Sequence, residues 1–598
     1  MKKIIFFALL IFSSTLFSQT TISTGSVSGT WTAAGSPYIV TVPISVAAGQ
    51  TLTIQPGVTV RFQPTKKLSV SGQLIAAGTA AMPIVFEATD TTGWSLQNST
   101  TGGWHGIQVY QYAGSGTDNS ILEHCIIRDV KYGYLSYLAY CNTLTCERGL
   151  RILNCKFEHN CSGLGTSNAD AIIRIYPTSM SDTIEMDSCI FTDNYGRFGL
   201  IRPFDITGGY VKITNSDIGY NHNSSTIWSI TTNMLFEGNL LHDNNMTGDN
   251  SPLKINGGTV TIRKNRIYRN SCYDLAAVGC REGIITIENN LICNNTQTNP
   301  SCGATGGGGG IHIAHNNSST PITDSYYIVR NNVIANNYSA FGGGGIYVYH
   351  AIANISNNHI INNTTNSFGR SLAICDAASE VKLKNNIFYA KAPSGIVDTF
   401  NVIGVLSANT LQLEYNYLPA KFSTCVLPGS GFTLVGDTLT NTFGTAPGMI
   451  APTANNNVAT SALSANFDVM ISSPCIDRGD TAGTFCAMED YAANNRIQGT
   501  IDIGAYEHVI LTGIAGEQDR PEIQVFPNPA SDRLTIILPD AEESVLMLYD
   551  ITGKTLLAAP AQGQKQLQLD IHTLAEGIYF VQVKTSRFSE TRKIVVIK

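Results

Sequence analysis

The sequence predicts an all-β chain: a right-handed parallel β-helix followed by a small C-terminal β-sandwich. Three observations carry this expectation. A nine-residue frame recurs ten times through the middle of the chain, and asparagine stands at fixed places within it. The residues after about 523 alternate apolar and polar side chains between tight turns.

The bulk composition fits. The chain has 598 residues, of which 14% are charged and 55 are glycine. That is too apolar for a disordered chain and rich in the residue that tight turns need. The formal net charge of −7 gives no electrostatic case for nucleic acid.

The first residues, MKKIIFFALLIFSSTLFS, place Lys2 and Lys3 before the apolar run Ile4 to Phe12. The run is too short to span a bilayer and reads as a signal peptide over 1–18. No later stretch is long and apolar enough for a transmembrane helix. Fourteen cysteines in an exported chain invite disulfides. Cys475 with Cys486 is the leading pair; Cys141 with Cys146, Cys272 with Cys280 and Cys293 with Cys302 are further candidates. No spacing suits a metal site.

The repeat frame is apolar, any, polar, Asn/Cys/Ser, any, apolar, any, any, Asn. It begins at Leu122 with LEHCIIRDV and passes through IENNLICNN, VRNNVIANN and ISNNHIINN to LKNNIFYAK at Leu383. One column reads Cys125, Cys155, Cys189, Ser216, then Asn239, Asn265, Asn290, Asn332, Asn358 and Asn386. Another includes Asn160, Asn194, Asn221, Asn244, Asn270, Asn295, Asn337 and Asn363. A fixed frame with variable spacing denotes a solenoid with loop insertions. Asparagine tolerates the left-handed conformation a corner needs, and stacked amides can bond from coil to coil. Calcium ligation would want Asp at a short fixed period, so these are corner residues. The glycine runs GGGGGIHIAHNN from Gly306 and FGGGGIYVYHA from Phe341 lack the Lys-Ser/Thr of a phosphate loop and read as corners ahead of a strand.

Residues 38–86 alternate short strands with AAGQ, QPG and SG turns. With GQTLTIQPGVTVRF and the later GWHGI (Gly103 to Ile107), they resemble the opening coils of secreted right-handed β-helix proteins. SSPCIDRGD (Ser472 to Asp480) and IDIGAYEH (Ile501 to His508) resemble the end of bacterial surface β-helix proteins that carry sorting anchors. There Asp477, Asp480, Asp502 and Glu507 read as cap residues of the solenoid end, not as catalytic carboxylates. Residues 512–522 form a polar linker. Beyond it, Phe526-Pro527-Asn528-Pro529, Gly553-Lys554, Gly577-Ile578-Tyr579 and the final Lys593 to Lys598 are similar to the C-terminal sorting domain of the type IX (Por) secretion system of Bacteroidetes. The resemblance implies export, removal of the domain, and a place outside the cell or on its surface. The expected organisation is 1–18 signal peptide, 19–117 cap and first coils, 118–423 repeats, 424–511 end of the solenoid, 512–522 linker and 523–598 sorting domain.

In the β-helix families resembled, the face built from the first strand of each coil binds or cleaves polysaccharide. AIIRIYP, LIRPFDI, SPLKING, GIHIAHN, GIYVYHA and SLAICDA occupy it here. Alternation puts Ile173/Ile175, Ile311/Ile313 and Ile346/Val348 inside. It puts Arg174, Arg202, Lys254, His312 and Tyr347 outside, with Tyr176, Asn256, His315, Tyr349, His350 and Asp376 nearby. Cations and aromatics on one face suit an acidic sugar polymer, so polysaccharide binding or adhesion is the expected function. The alternative is a polysaccharide lyase, with Arg202, Lys254 and His312 as its candidate residues; calcium enters only in that case, and no cofactor is otherwise expected. A hydrolase needs two carboxylates at a set separation, for which Asp205 and Asp376 are the poor candidates.

Overall fold

The computed structural model describes residues 19–598 except 95–100, 111–119, 132–143, 147–149, 162–171, 176–182, 196–200, 204–208, 223–225, 247–250, 303–305, 316–321, 323–324, 376–377, 398–401, 408, 483–486, 498, 509–522, 539–543, 552–553, 562–563 and 586–588. The expected signal peptide and linker lie outside the described residues. The chain divides into two units, 1–509 and 510–598.

The first unit is a parallel β-solenoid. Three long sheets of 14, 15 and 16 strands form its faces. In one coil the strands are Ile346–Tyr349 on the first face, Ile352–Ser356 on the second and His359–Ile361 on the third. Each pairs in parallel with its equivalents one coil before and after. Inward residues such as Ile311, Ile313, Ile346 and Val348 join one continuous core from Val27 to Val426. Aromatic residues in it stack between coils, as Phe157 does on Phe191 with centroids 4.8 Å apart. A further coil of strands, Val426–Pro428, Thr433–Val435 and Thr442–Phe443, extends the stack beyond residue 423.

Two asparagine ladders run along the corners that flank the third face. Asn265 shows the bonding: its Nδ2 donates to Asn290 Oδ1 at 2.9 Å and to Phe236 O at 2.9 Å, while its backbone N–H donates to the same Oδ1 at 3.0 Å. This pattern runs from Asn239 to Asn441 in one ladder and from Asn160 to Asn363 in the other. The early coils use thiols and a hydroxyl: Cys155 Sγ donates to Leu122 O at 3.3 Å, and Ser216 Oγ accepts from Cys189 N at 3.0 Å. Burial holds these thiols protonated, pushing Cys189 well above its usual range.

The left-handed residues are not the ladder residues. They precede them: Asn289, Asn331, Asn357 and Asn385 before the first ladder, Asn294, Asn336 and Asn362 before the second, all with φ between 53° and 56°. Earlier coils use His124, Ser188, Lys264 or Arg269 at equivalent places. Each Asn–Asn pair therefore divides two tasks, the first residue bending the chain and the second bonding the stack.

The first residue of the late pairs has a further task. The described residues between 445 and 508 do not cap the end of the solenoid, as their sequence suggests, but fold back along its third face. Thr453 meets Asn362, Asn455 and Asn457 meet Asn336, Val458 and Thr460 meet Asn294, and Leu463 O reaches Arg266. The amides of Asn289, Asn331 and Asn385 hold Asp490, Glu489 and Asp480 by their carbonyls at 2.7–3.2 Å. Beneath this strap the third face turns outward-apolar: Leu291, Val333, Ile361, Ile387 and Tyr417 pack against Met449, Phe467, Val469 and Ile503. Burying a large apolar side chain is worth roughly 1.5–3 kcal/mol, so the strap closes a hydrophobic surface that would otherwise face water.

The carboxylates of this region serve the strap. Asp480 pairs with Lys384 at 2.6 Å. Asp502 accepts from the backbone of Asp477 at 2.7 Å and of His508 at 2.6 Å. Glu507 accepts from Asp502 N at 3.1 Å and lies 3.9 Å from Arg496. Cys475, Cys272, Cys280 and Cys293 are free thiols. Cys280 lies in the lumen core and Cys293 under the strap, so neither meets its expected partner. Cys141 and Cys486, and the side chain of Cys146, lie outside the described residues.

The second unit is an antiparallel sandwich. Gln524–Phe526, Arg533–Ile537 and Gln566–Asp570 form one sheet; Ser544–Asp550, Thr555–Ala561, Gly577–Thr585 and Ser589–Val596 form the other. Leu534, Ile536 and Leu569 of the first meet Leu546, Val581 and Ile594 of the second in one core.

The strap predicts a pH dependence. Burial pushes Glu507 up from 4.5 to about 8, outweighing the attraction of Arg496. The folded carboxyl therefore holds its proton more tightly than the unfolded one, and this stabilisation is full below about 4.5 and lost as pH rises through about 8. Hydrogen exchange of strap amides should speed up across that interval beyond the intrinsic rate. Glu507→Gln should flatten the dependence; an unchanged pH profile would contradict the assignment.

Candidate functional site

The outer side of the first face carries a row of residues in register. Gln108, Thr145, Arg174 and Arg202 occupy successive coils. Ile201 pairs with Ile227, which brings Trp228 next, and Lys254, Gly279, His312, Tyr347 and Ala373 follow. No acidic residue stands in this row. The second face differs: Glu237, Arg263, Glu288 and Arg330 follow one another in register and alternate in sign. There Glu237 binds Arg263 at 2.9 Å and Glu288 binds Arg330 at 2.7 Å, cancelling the charge along the row.

Alternation places Arg174, Lys254, His312 and Tyr347 outside the lumen, as the sequence indicates, but leaves the last three off the surface. His312 is 0% exposed, Tyr347 1% and Lys254 4%. His315, Tyr349 and His350 are buried as well. The glycine-rich corners explain this. A Cβ on Gly307 would sit 3.0 Å from the Tyr347 ring, and one on Gly343 would sit 2.9 Å from Tyr347 Cβ. Glycine lets these corners cross the outer side of the sheet closely, and Phe341 and Phe368 close over Tyr347, Tyr349 and Cys375 in a small apolar cluster of their own. The tyrosines expected to stack on sugar rings are therefore occupied by the protein.

His312 Nδ1 bonds to Gly307 O at 3.1 Å, and its ring stacks on Tyr347 at 5.4 Å. Its Nε2 has no hydrogen-bond partner among the described residues. Burial, with Arg281 and Lys254 adding to it, pulls its pKa down to about 3, so the imidazole is neutral. Lys254 Nζ lies 4.6 Å from the centre of the Trp228 ring, a cation–π contact. His315 and His350 face each other with centroids 5.8 Å apart. Arg174 is partly exposed at the early end of the row, and Asn256 is partly buried beside Lys254. Arg202 holds its place in strand Ile201–Pro203, its side chain being outside the described residues, as are Tyr176, Asp205 and Asp376.

Trp228 and Arg281 escape a reading from the sequence. Their strands, Ile227–Ile230 and Val278–Arg281, lack the glycine run that precedes Ile311–Ala314 and Ile346–Tyr349. Among the described residues no group of three His, Cys, Asp or Glu side chains could hold a metal ion. The site offers fixed cations, a neutral imidazole and an indole.

Residues 524–598 match the family described as a secretion system C-terminal sorting domain. The chain carries that sorting domain. It marks the protein for type IX secretion to the cell surface or beyond. No helix among the described residues is long and apolar enough to cross a membrane. Curated relatives are similar over short stretches. They include Protein bark beetle of Drosophila melanogaster, 46% identical over 57 residues, and an endo-acting ulvan lyase of Formosa agariphila, 27% identical over 77 residues. These stretches are 10% and 13% of this chain, which spans 2% and 15% of those proteins' lengths. Solved structures it resembles include a periplasmic alginate epimerase and a point mutant of it. The mutant is 12% identical at a TM-score of 0.25, with 66% of this chain and 78% of that one covered; the other is 11% identical at 0.22, with 65% and 77% covered. Overlap this slight carries no chemistry across.

The sorting domain predicts a sorting defect. Residues 592–598 include most of the last strand, paired along its length with Gly577–Thr585, and the core residues Ile594 and Val596. Deleting them should leave the protein in the periplasm on cell fractionation; normal delivery to the surface or medium would contradict the prediction.

Proposed function

We propose that the protein, secreted and freed of its sorting domain, binds an extended acidic polysaccharide along the first face. The observation that carries this reading is the register of Arg174 and Arg202 on adjacent coils, with no acid in their row and Lys254 two coils on, buried against Trp228. Coils stack at about 4.8 Å, close to the length of a sugar unit, so a chain along the axis meets the two arginines at successive units. The buried tyrosines shift the expected energetics from ring stacking to charge. Exposed pairs give about 0.2–1 kcal/mol each, so affinity accumulates over many weak contacts and falls with salt.

A second reading, a polysaccharide lyase, draws on one observation: a neutral His312 whose Nε2 has no partner among the described residues. Such a nitrogen can accept a proton. Full burial of the ring weighs against this reading, because a substrate reaches it only if the covering corners part.

The test is affinity electrophoresis in alginate, pectate and chondroitin sulfate gels. Wild type should be retarded in at least one, and Arg174→Ala/Arg202→Ala should weaken binding about two- to thirtyfold, as two exposed pairs allow. Added salt should abolish the retardation. Migration unaffected by every acidic glycan would refute binding. Shortening of the polymer with a rise in ultraviolet absorbance would put the lyase reading in its place.

A further inference from the structure

A cleft of about 450 Å³ lies away from the first face, between the second face and the strap. Its volume is in the range of small-ligand sites. The floor is built from outward residues of three coils in register: Asn354, Lys382 and Gln412, with Lys384 and Glu414 one step along. Asp480 of the strap and Asp437 of the loop before Thr442–Phe443 form the walls.

The groups lining it are fixed by one another. Lys384 is held by Asp480 at 2.6 Å and lies 5.3 Å from the centre of the Tyr415 ring. Glu414 accepts from Gln412 Nε2 at 2.8 Å and from Asp437 N at 3.1 Å. Asn354 hydrogen-bonds the Tyr326 side chain and keeps one acceptor unused. It is 3% exposed, lines the cleft, and its Oδ1 has no hydrogen-bond partner among the described residues. A buried amide oxygen left unbonded is destabilising, and a donor from a ligand would satisfy it.

We infer that this cleft is a second binding site, for a neutral saccharide of one or two units. Sugar hydroxyls both donate and accept. Asn354 Oδ1 and the carboxylates of Glu414, Asp437 and Asp480 accept, while Lys382 and the Gln412 amide donate. Three carboxylates against two ammonium groups leave the lining slightly negative, which disfavours the acidic polymer proposed for the first face. Its apolar lining is Leu383, Ala482 and the ring of Tyr415, one aromatic surface of the kind a sugar ring can pack against. The inference stands independently of the first-face reading.

Saturation-transfer NMR on the full-length chain tests it, with cellobiose, laminaribiose, mannobiose and digalacturonate as probes. At least one neutral disaccharide should show transfer. Lys382 is exposed, so Lys382→Trp fills the cleft without disturbing the core and should weaken that binding at least tenfold with the unfolding midpoint unchanged. Gln412→Ala/Glu414→Ala should act likewise, and Arg174→Ala/Arg202→Ala should leave it intact. Absence of transfer from every neutral disaccharide, binding that survives Lys382→Trp, or transfer from digalacturonate alone would each overturn the inference.

Discussion

The amide-to-amide hydrogen bond between successive coils is what the rest of the molecule depends on. A solenoid must turn a corner three times per coil, and each corner takes backbone polar groups out of a sheet ladder and buries them. The asparagine ladders answer this at the two corners that flank the third face, with one side chain per coil in each ladder. Each Nδ2 donates to a carbonyl of the coil before and to the next amide, and each Oδ1 accepts two bonds from the coil before. The bonds are short and repeat at the coil spacing, so the corners are held as firmly as the strands. With its corners fixed, each face can carry its own outward residues.

The three faces use that freedom differently. The second face alternates charge and neutralises itself along much of its length. The third face becomes apolar in its later coils and is covered by the strap. The first face keeps one sign of charge in its early coils and a buried His–Tyr cluster in its later ones, closed over by glycine corners. The early coils of the first face thus carry cations, the second face self-paired charges, and the later coils of the third face the strap. Function follows from what the outer residues of a common scaffold are allowed to be, not from the scaffold.

Much of this was legible in the sequence. The ladder columns stand where the repeat frame placed them, because period and residue type both report a structural need that every coil shares. The two roles within Asn–Asn were not separated, although LEHC and IRKN, with His124 and Lys264 at the left-handed position, already showed that the first residue need not be asparagine. The strap also left a trace. From IENNLICNN onward most units carry apolar residues on both sides of the inward one, Leu291 with Cys293, Val333 with Ala335, Ile387 with Tyr389, with His359 beside Ile361 the exception, where earlier units carry Lys156 with Glu158. Three apolar residues in a row on a strand signal a second buried side. The burial of Tyr347 and His312 was not legible, because it depends on loops from neighbouring coils crossing a face, and residue spacing within one coil carries no record of that.

The most direct test compares one substitution at the two members of a single pair. Asn332→Gly removes a ladder amide, and Asn331→Gly keeps the left-handed bend while removing the bond to Glu489 O. The first should lower the unfolding free energy of the solenoid by about 1–3 kcal/mol, since it orphans buried groups on both neighbouring coils. The second should leave that value nearly unchanged and speed hydrogen exchange in the strap around Glu489. Equal destabilisation by the two, or a stable solenoid without Asn332, would contradict the division of labour on which this account of the fold rests.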